Sequence, residues 1–308
     1  EGDTDNAAFT IVGNDLQINS SPDFEAKSSY SIRVQSADMG SLTIEKAITI
    51  NVNNVNEEPS TISLTGNSVN ENVAENSVIG TLATTDPDAG DTFTYTLVAG
   101  DGDTDNASFN IDGANLRITG SPDFEAKSSY SVRVRATDAG GLWVEETFTV
   151  SITNINESPT AITLSKLNVD ENVSINTTVG ALTTTDPDAF SIIAYSLVSG
   201  DGDTDNASFR INGTTLQITV SPDFEAKSSY SVRIRTTDQG DLWYEQAFVI
   251  SVNDINEVPV VNASQTFSIA ENSSMGTSVG MVLASDPDAG TTFNSWTITQ
   301  NVDPSGNS

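Results

Sequence analysis

The 308-residue sequence contains no cysteine and no histidine, and it has few positive charges. The absence of cysteine excludes a fold built on disulfide bonds and any chemistry at a thiolate. Only 12 lysine and arginine residues stand against 43 acidic residues, so the net charge is −31. Nucleic acids and anionic membrane surfaces attract clusters of basic side chains, so neither is an expected partner.

The sequence also lacks a long apolar run. No stretch approaches the ~20 apolar residues of a membrane-spanning helix, and no signal peptide begins the chain. Highly charged chains without apolar patterning are often disordered. Regular apolar alternation runs through this sequence, which indicates a folded chain instead.

Three strings recur at a fixed step of 100 residues. SPDFEAKSSY begins at residues 21, 121 and 221, GDTDNA at 2, 102 and 202, and DPDA at 86, 186 and 286. A fixed period predicts a tandem array of similar units, and a unit of this length is the size of an independent domain. Residue 1 lies in the middle of a repeat, so we expect the chain to be a segment of a longer protein.

Each repeat has the pattern of β-strands. In the segment 129–138, Tyr130, Val132 and Val134 alternate with serine and arginine, and the segments 92–98 and 147–153 alternate in the same way. Alternation with a period of two indicates strands with one buried face. With about seven short strands per 100 residues, we predict an all-β fold, an antiparallel sandwich of immunoglobulin-like size.

One hairpin can be predicted in detail. The segment FNIDGANLRI pairs Phe109 and Ile111 with Leu116 and Ile118, around a turn at Asp112-Gly113.

The proline-bearing segments at Pro59, Pro159 and Pro259 each follow a predicted strand and mark the domain boundaries. The predicted domains are the C-terminal half of a repeat (1–57), two complete repeats (58–157 and 158–257) and the N-terminal half of a fourth repeat (258–308). The linkers are too short to act as flexible tethers.

Acidic residues recur at the same places in each repeat: an early glutamate before asparagine, the DPD and DFE triplets, and an aspartate two residues before glycine. In DPD and DFE the two carboxylates are two residues apart, so an extended strand would place both on one side. Calcium prefers six to eight oxygen ligands from carboxylates and carbonyls, and no histidine or thiolate offers an alternative for a softer metal.

The strings VNEN, TDPDAG, PDFEAKSSY, ATDAGG and NINESP, in this order, resemble the motifs of the cadherin repeat along the whole chain. The resemblance implies tandem Greek-key β-sandwich domains in a linear rod, with Ca²⁺ bound between successive domains. The linkers differ from the vertebrate pattern, being a residue shorter before proline and carrying glutamate for the second aspartate. They leave open whether two or three ions bind at each junction.

The resemblance implies three sets of calcium ligands, which we call the first, middle and third junctions after the linkers at Pro59, Pro159 and Pro259. The first junction would use Asp23, Glu25, Asn54, Asn56, Glu57, Asp86, Asp88 and Asp138. The middle junction would use Glu71, Asp123, Glu125, Asn154, Asn156, Glu157, Asp186, Asp188 and Asp238. The third junction would use Glu171, Asp223, Glu225, Asp254, Asn256, Glu257, Asp286 and Asp288. In the first two linkers asparagine also stands for the first aspartate of the family pattern, whereas the third linker keeps Asp254 and is therefore expected to bind most strongly.

The alternative for these acids is a set of ordinary solvated loop residues. The middle junction, however, collects seven carboxylates without a lysine or arginine in its motifs. Like charges about 4 Å apart repel by roughly 4 kcal/mol near a protein surface, so a bound cation is the better interpretation.

Two further features have simpler interpretations. The DGDTDN segments at 101–106 and 201–206 resemble the start of a calcium loop, but an aspartate-rich turn bonded to nearby amides is favoured. Alternation places Leu142 and Leu242 inward and the indoles of Trp143 and Trp243 outward, where they would lie over neighbouring strand side chains or form a contact or glycan-binding surface.

The sequence predicts a non-enzymatic protein, because it offers no histidine base, activated nucleophile or phosphate loop. The leading function is an extracellular, calcium-rigidified rod or stalk of a large cell-surface adhesion protein. The alternatives are a subunit of a self-assembling filament and a carbohydrate-binding module. The expected partners are calcium ions, together with other copies of the chain or surface glycans.

Overall fold

The computed structural model describes residues 2–293 and 295–298, and the regular secondary structure within them is almost entirely β-strand. The remaining parts of the predicted first and fourth domains, residue 1, residue 294 and residues 299–308, lie outside the described residues. The chain divides into two units, Glu1–Ile155 and Asn156–Ser308.

The described part of the first unit contains twelve strands and two one-turn 3₁₀ helices. The helices are Asn6–Ala8 and Asn106–Ser108. The strands are β1 Phe9–Val12, β2 Asp15–Ile18, β3 Ser29–Ala37, β4 Thr43–Asn51, β5 Thr61–Thr65, β6 Ser68–Asn70, β7 Val78–Thr85, β8 Thr94–Leu97, β9 Phe109–Asp112, β10 Asn115–Ile118, β11 Ser129–Thr137 and β12 Trp143–Thr153.

The described part of the second unit contains ten strands and one 3₁₀ helix, Asn206–Ser208. The strands are β13 Ala161–Leu164, β14 Asn168–Asp170, β15 Thr178–Thr185, β16 Ala194–Leu197, β17 Phe209–Asn212, β18 Thr215–Ile218, β19 Ser229–Thr237, β20 Trp243–Asn253, β21 Val260–Val261 and β22 Ala284–Ser285.

Strands β5–β12 form a Greek-key sandwich of two four-stranded sheets, with the orders β5-β7-β10-β9 and β6-β12-β11-β8. The strand pairs are antiparallel except that the short strand β6 runs parallel to β12. The inward residues of β10, β11 and β12 meet between the sheets, where Leu116, Val132 and Val150 are fully buried. The alternation predicted for the segment 129–138 is confirmed, because Val132, Val134 and Ala136 are buried and the arginines between them are half-buried.

Strands β13–β20 repeat the same arrangement in the second unit, with the sheet orders β13-β15-β18-β17 and β14-β20-β19-β16. Its core contains Leu216, Val232 and Ile250, each fully buried and each 100 residues after its counterpart. The prediction of an all-β sandwich is therefore confirmed.

The predicted hairpin is formed by β9 and β10, and it places Phe109 opposite Ile118 and Ile111 opposite Leu116. The turn lies one residue later than predicted, because Asp112 pairs with Asn115 and the loop is Gly113-Ala114. Gly113 has a φ of 61°, which favours glycine at the first loop position of a two-residue hairpin turn.

Strands β1–β4 occupy the same positions of the repeat as β9–β12 but form only two two-stranded sheets. Leu16 is 41% exposed, whereas its counterpart Leu116 is 0% exposed. In the following repeat, strands β5–β8 supply the other part of the sandwich, and no such strands precede β1 in the described residues. Residues 2–57 therefore have the elements of half a sandwich.

No helix in the described residues has both the length and the apolar character that a membrane span requires.

Candidate metal sites

The first junction lies within the first unit, and three of its predicted ligands come together there. Oxygens of Glu25, Glu57 and Asp88 lie within 4.8 Å of one another. Glu25 lies in the loop before β3, Glu57 in the linker after β4, and Asp88 in the loop after β7. The group therefore combines acids from the half repeat, the linker and the complete repeat.

Asp88 is 8% exposed and its two oxygens are held by the linker. Oδ1 accepts a hydrogen bond from Asn54 Nδ2 at 2.8 Å, and Oδ2 accepts one from the backbone N–H of Glu57 at 2.8 Å. The same backbone bond recurs in the second unit, from Glu157 to Asp188 at 2.6 Å and from Glu257 to Asp288 at 2.7 Å. The second aspartate of DPD thus fixes the linker to the repeat that follows it.

A second group in the first unit contains Asp86, Asp88 and Asp91, again with oxygens within 4.8 Å of one another. Asp86 Oδ1 accepts a hydrogen bond from the backbone N–H of Asp88 at 2.8 Å. Asp86 Oδ2 and Asp91 Oδ2 are buried and accept no hydrogen bond from the residues described. Burial, and then repulsion from Asp86, Asp138 and Asp88, raises the pKa of Asp91.

Asp138 completes this side of the first junction and is 6% exposed. Its Oδ1 accepts a hydrogen bond from the backbone N–H of Leu142 at 2.9 Å, and Oδ2 accepts one from Asn56 Nδ2 at 2.8 Å. Burial opposes ionisation, but the bonds from Asn56 and the backbone outweigh it and lower the pKa of Asp138. A Cβ at Gly140 would lie 2.4 Å from the side chain of Asn56, so glycine leaves the space that this asparagine occupies.

The early glutamate is buried in both complete repeats, where Glu71 and Glu171 are each 3% exposed. The two oxygens of Glu71 accept backbone N–H groups of Phe124 and Ile155, each at 2.8 Å. The two oxygens of Glu171 accept hydrogen bonds from the backbone N–H groups of Phe224 at 2.8 Å and Ile255 at 2.7 Å. Each glutamate thus joins its DFE loop to its own linker.

The third junction lies within the second unit and brings four predicted ligands together. Oxygens of Glu171, Glu225, Asp254 and Asp288 lie within 4.8 Å of one another. Burial, then a shared hydrogen bond with Asp288 and its charge, raises the pKa of Asp254. Burial, together with the charges of Glu171, Glu257 and Asp254, also raises the pKa of Glu225. These carboxylates repel one another, and none of them forms a salt bridge within the described part of the chain.

The acids predicted for the middle junction are divided between the two units. In the first unit, Glu125 accepts a hydrogen bond from Asn154 Nδ2 at 3.2 Å. In the second, Asn156 Nδ2 donates to Asp238 Oδ2 at 2.9 Å, as its counterpart Asn56 does to Asp138. Asp186 Oδ2 is buried and accepts no hydrogen bond within the described part of the chain, as found for Asp86.

The first aspartate of each DFE triplet has a local role. Asp23, Asp123 and Asp223 each accept a hydrogen bond from the backbone N–H three residues later, at 2.8–2.9 Å. None of the three belongs to the groups of clustered carboxylates found in the described residues. The remaining predicted ligands, Asn256 and Asp286, lie beside the third junction: Asn256 Nδ2 donates to the carbonyl of Glu257, and Asp286 Oδ1 accepts the N–H of Asp288.

The donor set fits a calcium ion, because it consists of carboxylate and amide oxygens. The buried oxygens of Asp86, Asp91 and Asp186 point to the same conclusion. An unpaired buried carboxylate oxygen is costly, and a cation would compensate for it. If Ca²⁺ binds, the acids of DPD and DFE, the early glutamate and the linker residues would hold it.

Sequence reasoning missed Asp91 and the role of Gly140. Asp91 is replaced by Ser191 and Thr291 at the next two steps of the period, so a search for recurring acids does not find it. The available signal was the third acid in DPDAGD, three residues after Asp88.

The DGDTDN segments are aspartate-rich turns, which confirms the favoured interpretation. Asp103 Oδ2 accepts the N–H of Gly100 at 3.0 Å, and Asp105 Oδ2 accepts the N–H of Ser131 at 2.8 Å. Asp105 Oδ1 binds the ammonium group of Lys127. Lys127 therefore neutralises Asp105, and a backbone amide binds Asp103.

The outward placement of the tryptophans is confirmed, but the inward placement of the leucines before them is wrong. Leu142 is 41% exposed because it belongs to the turn that Asp138 closes, before β12 begins at Trp143. The guanidinium of Arg135 lies 4.3 Å from the ring centroid of Trp143, and that of Arg235 lies 4.5 Å from Trp243. Each indole therefore lies against a neighbouring strand side chain, as expected.

Comparison with known proteins agrees with this fold. Residues 165–253 match the family model "Cadherin domain", and residues 58–153 match the family model "Putative Ig domain". Protocadherin Fat 4 of Homo sapiens is 28% identical over 311 residues, covering 94% of this chain and 6% of the relative. Protocadherin Fat 2 of Mus musculus is 35% identical over 190 residues, covering 58% of this chain and 4% of the relative.

Among solved structures, the extracellular domain of Protocadherin GammaB4 superposes with a TM-score of 0.62 and 26% identity. The match covers 89% of this chain and 45% of that one. The chain is a cadherin-like tandem repeat protein. It spans only about one-twentieth of the length of the curated relatives named here.

Proposed function

We propose that this chain is a segment of an extracellular adhesion protein, in which calcium ions bound between successive repeats stiffen a rod or stalk. The relatives with similar repeats are protocadherins, and the solved structure named above is described as an extracellular domain. Like those repeats, the chain would act as a structural element and not as an enzyme.

The observation that carries this proposal is the arrangement of acids at the first junction. Glu25 from one repeat and Asp88 from the next lie in one carboxylate group, and Asp86 beside them has a buried, unpaired oxygen. An ion that binds oxygens from both repeats links them directly. Its removal would leave like charges about 4 Å apart, which repel by roughly 4 kcal/mol at the dielectric near a protein surface.

The ligands we propose are the acids and linker asparagines predicted for each junction. Glu71 and Glu171 are held by two backbone amides each, so these carboxylates keep one position with or without an ion. Asn54 and Asn56 now donate to Asp88 and Asp138. Each asparagine would have to turn its carbonyl oxygen toward an ion to serve as a ligand.

The other two candidate functions receive less support. A carbohydrate-binding surface would need an open aromatic face, but Arg135 lies over the ring of Trp143. Arg135 is itself held by Glu145, with bonds of 2.8 and 2.5 Å to Oε1. No surface of the described residues points specifically to a filament contact, so a spacer is the function that we propose.

Calcium titration of the 308-residue chain tests the proposal. We expect binding in the range of about 10⁻⁴–10⁻³ M, as for extracellular calcium modules, and a rise in melting temperature over the same range. Circular dichroism in excess chelator should retain its β signal, because each core is internal to a repeat. X-ray scattering should show a more flexible chain in chelator than in calcium. An unchanged melting temperature and scattering profile across this range would exclude ion-dependent stiffening.

A further inference from the structure

The repeats differ at one position beside the DPD triplet, three residues after its second aspartate. This position is Asp91 in the first complete repeat, Ser191 in the second and Thr291 in the following half repeat. The neighbouring DPD residues are identical in all three. The difference is therefore a local substitution within an otherwise repeated loop.

The hydroxyl side chains at this position bond within their own loop. Ser191 Oγ donates to the backbone carbonyl of Asp188 at 3.0 Å, and Thr291 Oγ1 donates to that of Asp288 at 3.1 Å. A carboxylate cannot donate this bond when it is ionised. Asp91 instead lies with an oxygen within 4.8 Å of oxygens of both Asp86 and Asp88.

The oxygens in this group also differ in how they are satisfied. Asp88 is bonded to Asn54 and to the N–H of Glu57, whereas Asp91 Oδ2 and Asp86 Oδ2 are buried and accept no hydrogen bond from any described residue. Two unpaired carboxylate oxygens buried in one loop are unfavourable, and a cation bound there would stabilise them. Among the described residues, no arginine or lysine forms a salt bridge with any of these three aspartates.

We infer that Asp91 is an additional calcium ligand, which gives the first junction a carboxylate that the loops of Ser191 and Thr291 lack. This inference rests on the proposed function, since it concerns the same class of site. The affinity of calcium sites rises with the number of charged ligands. The first junction therefore binds calcium at a lower concentration than it would with serine at this position. The calcium concentration required for binding thus differs between junctions along the chain.

The test uses hydrogen exchange with mass spectrometry on the 308-residue chain at a series of calcium concentrations. Peptides covering residues 86–97 report on the Asp91 loop, and peptides covering 186–197 report on the Ser191 loop of the same molecule. The variant Asp91→Ser copies the residue found in the next repeat, and Ser191→Asp is the reciprocal change. Asp101→Ser removes an exposed acid outside the group and serves as a matched control.

In Asp91→Ser we expect the calcium midpoint for protection of residues 86–97 to rise about tenfold, with residues 186–197 unchanged. Ser191→Asp should lower the midpoint of residues 186–197, and Asp101→Ser should shift neither. Asp91→Asn, which keeps an oxygen but loses the charge, should fall between wild type and Asp91→Ser.

Two results would overturn the inference and are distinguishable. If Asp91→Ser leaves the midpoint of residues 86–97 in place while Asp86→Ala abolishes the response, calcium binds there without Asp91. If the wild-type chain shows no calcium response in any peptide, the proposed function itself fails.

Discussion

Lys127 forms a salt bridge with Asp105 of the same repeat and so joins two segments that lie 22 residues apart in the chain. The ammonium group also lies 4.9 Å from the ring centroid of Tyr130, and Asp105 accepts the N–H of Ser131. The same contacts recur at Lys27 and Lys227. Two of the strings that recur every 100 residues, GDTDNA and KSSY, are therefore held together in each of their three copies.

This ion pair predicts a specific response to acid. Burial opposes ionisation of Asp105, but Lys127 and the N–H of Ser131 lower its pKa below the usual value. Its contribution to stability is complete above the unfolded pKa of about 3.9 and is lost as the pH falls through the lower folded pKa. Asp105→Asn should therefore flatten the decline of the unfolding free energy below about pH 4. Urea unfolding between about pH 7 and pH 2 measures how the unfolding free energy depends on pH. A pH dependence equal to that of wild type would contradict the prediction.

Removal of Glu125 should affect the chain only when calcium is present. Glu125→Ala deletes a proposed ligand, so it should weaken calcium binding and reduce the calcium-dependent rise in melting temperature. Asp112→Ala is the control, because Asp112 is an exposed acid paired with Arg117 at 2.6 Å. It should cost about 1 kcal/mol or less, equally with and without calcium. Calorimetry on both variants decides between a ligand and a solvated acid at Glu125.

The third junction should be sensitive to a single linker residue. Asp254 lies among Glu171, Glu225 and Asp288, whereas Asn54 donates an amide hydrogen to Asp88 at the equivalent place. Asp254→Asn should weaken calcium binding at this junction about tenfold and stabilise the calcium-free chain. Asn54→Asp should have the opposite effects at the first junction. Equal calcium affinity in wild type and Asp254→Asn would show that Asp254 is not a ligand.

The complete and half repeats should respond differently to the same core substitution. Leu116→Ala removes a fully buried side chain and should cost about 2–5 kcal/mol of stability in its repeat. Leu16→Ala changes the counterpart that is 41% exposed, so its cost should be a small part of that value. Thermal unfolding of both variants provides the comparison. Similar losses would mean that Leu16 is as well packed in solution as Leu116.

The strands and the hairpin were predictable because their signal is local. Alternation along Val132 and Val134 identifies the buried face directly, and the turn signal at Asp112-Gly113 locates the hairpin to within one residue. The parallel pairing of β6 with β12 joins residues about 80 positions apart, and no local pattern encodes it. Leu142 was misplaced because alternation was extended into a turn.

The acids of the candidate sites were found because they recur with the repeat. Recurrence in the sequence does not, however, reveal the hydrogen-bond partners of these acids. The two amide bonds of Glu71 and the local turn of Asp23 depend on loops that meet only in the folded repeat. Asp91 does not recur in the other repeats, so the 100-residue period does not identify it as a candidate ligand.

The contacts between GDTDNA and KSSY have a consequence for how the protein folds. Since both strings are identical in neighbouring repeats, a Lys127 that meets Asp205 before Asp105 finds the same chemical partner in the wrong repeat. Tandem domains with near-identical sequences misassemble in this way, by exchanging equivalent segments. Sequential folding of each repeat as it emerges from the ribosome would avoid the exchange. Refolding the whole chain from denaturant should therefore yield more misassembled product than refolding one repeat alone.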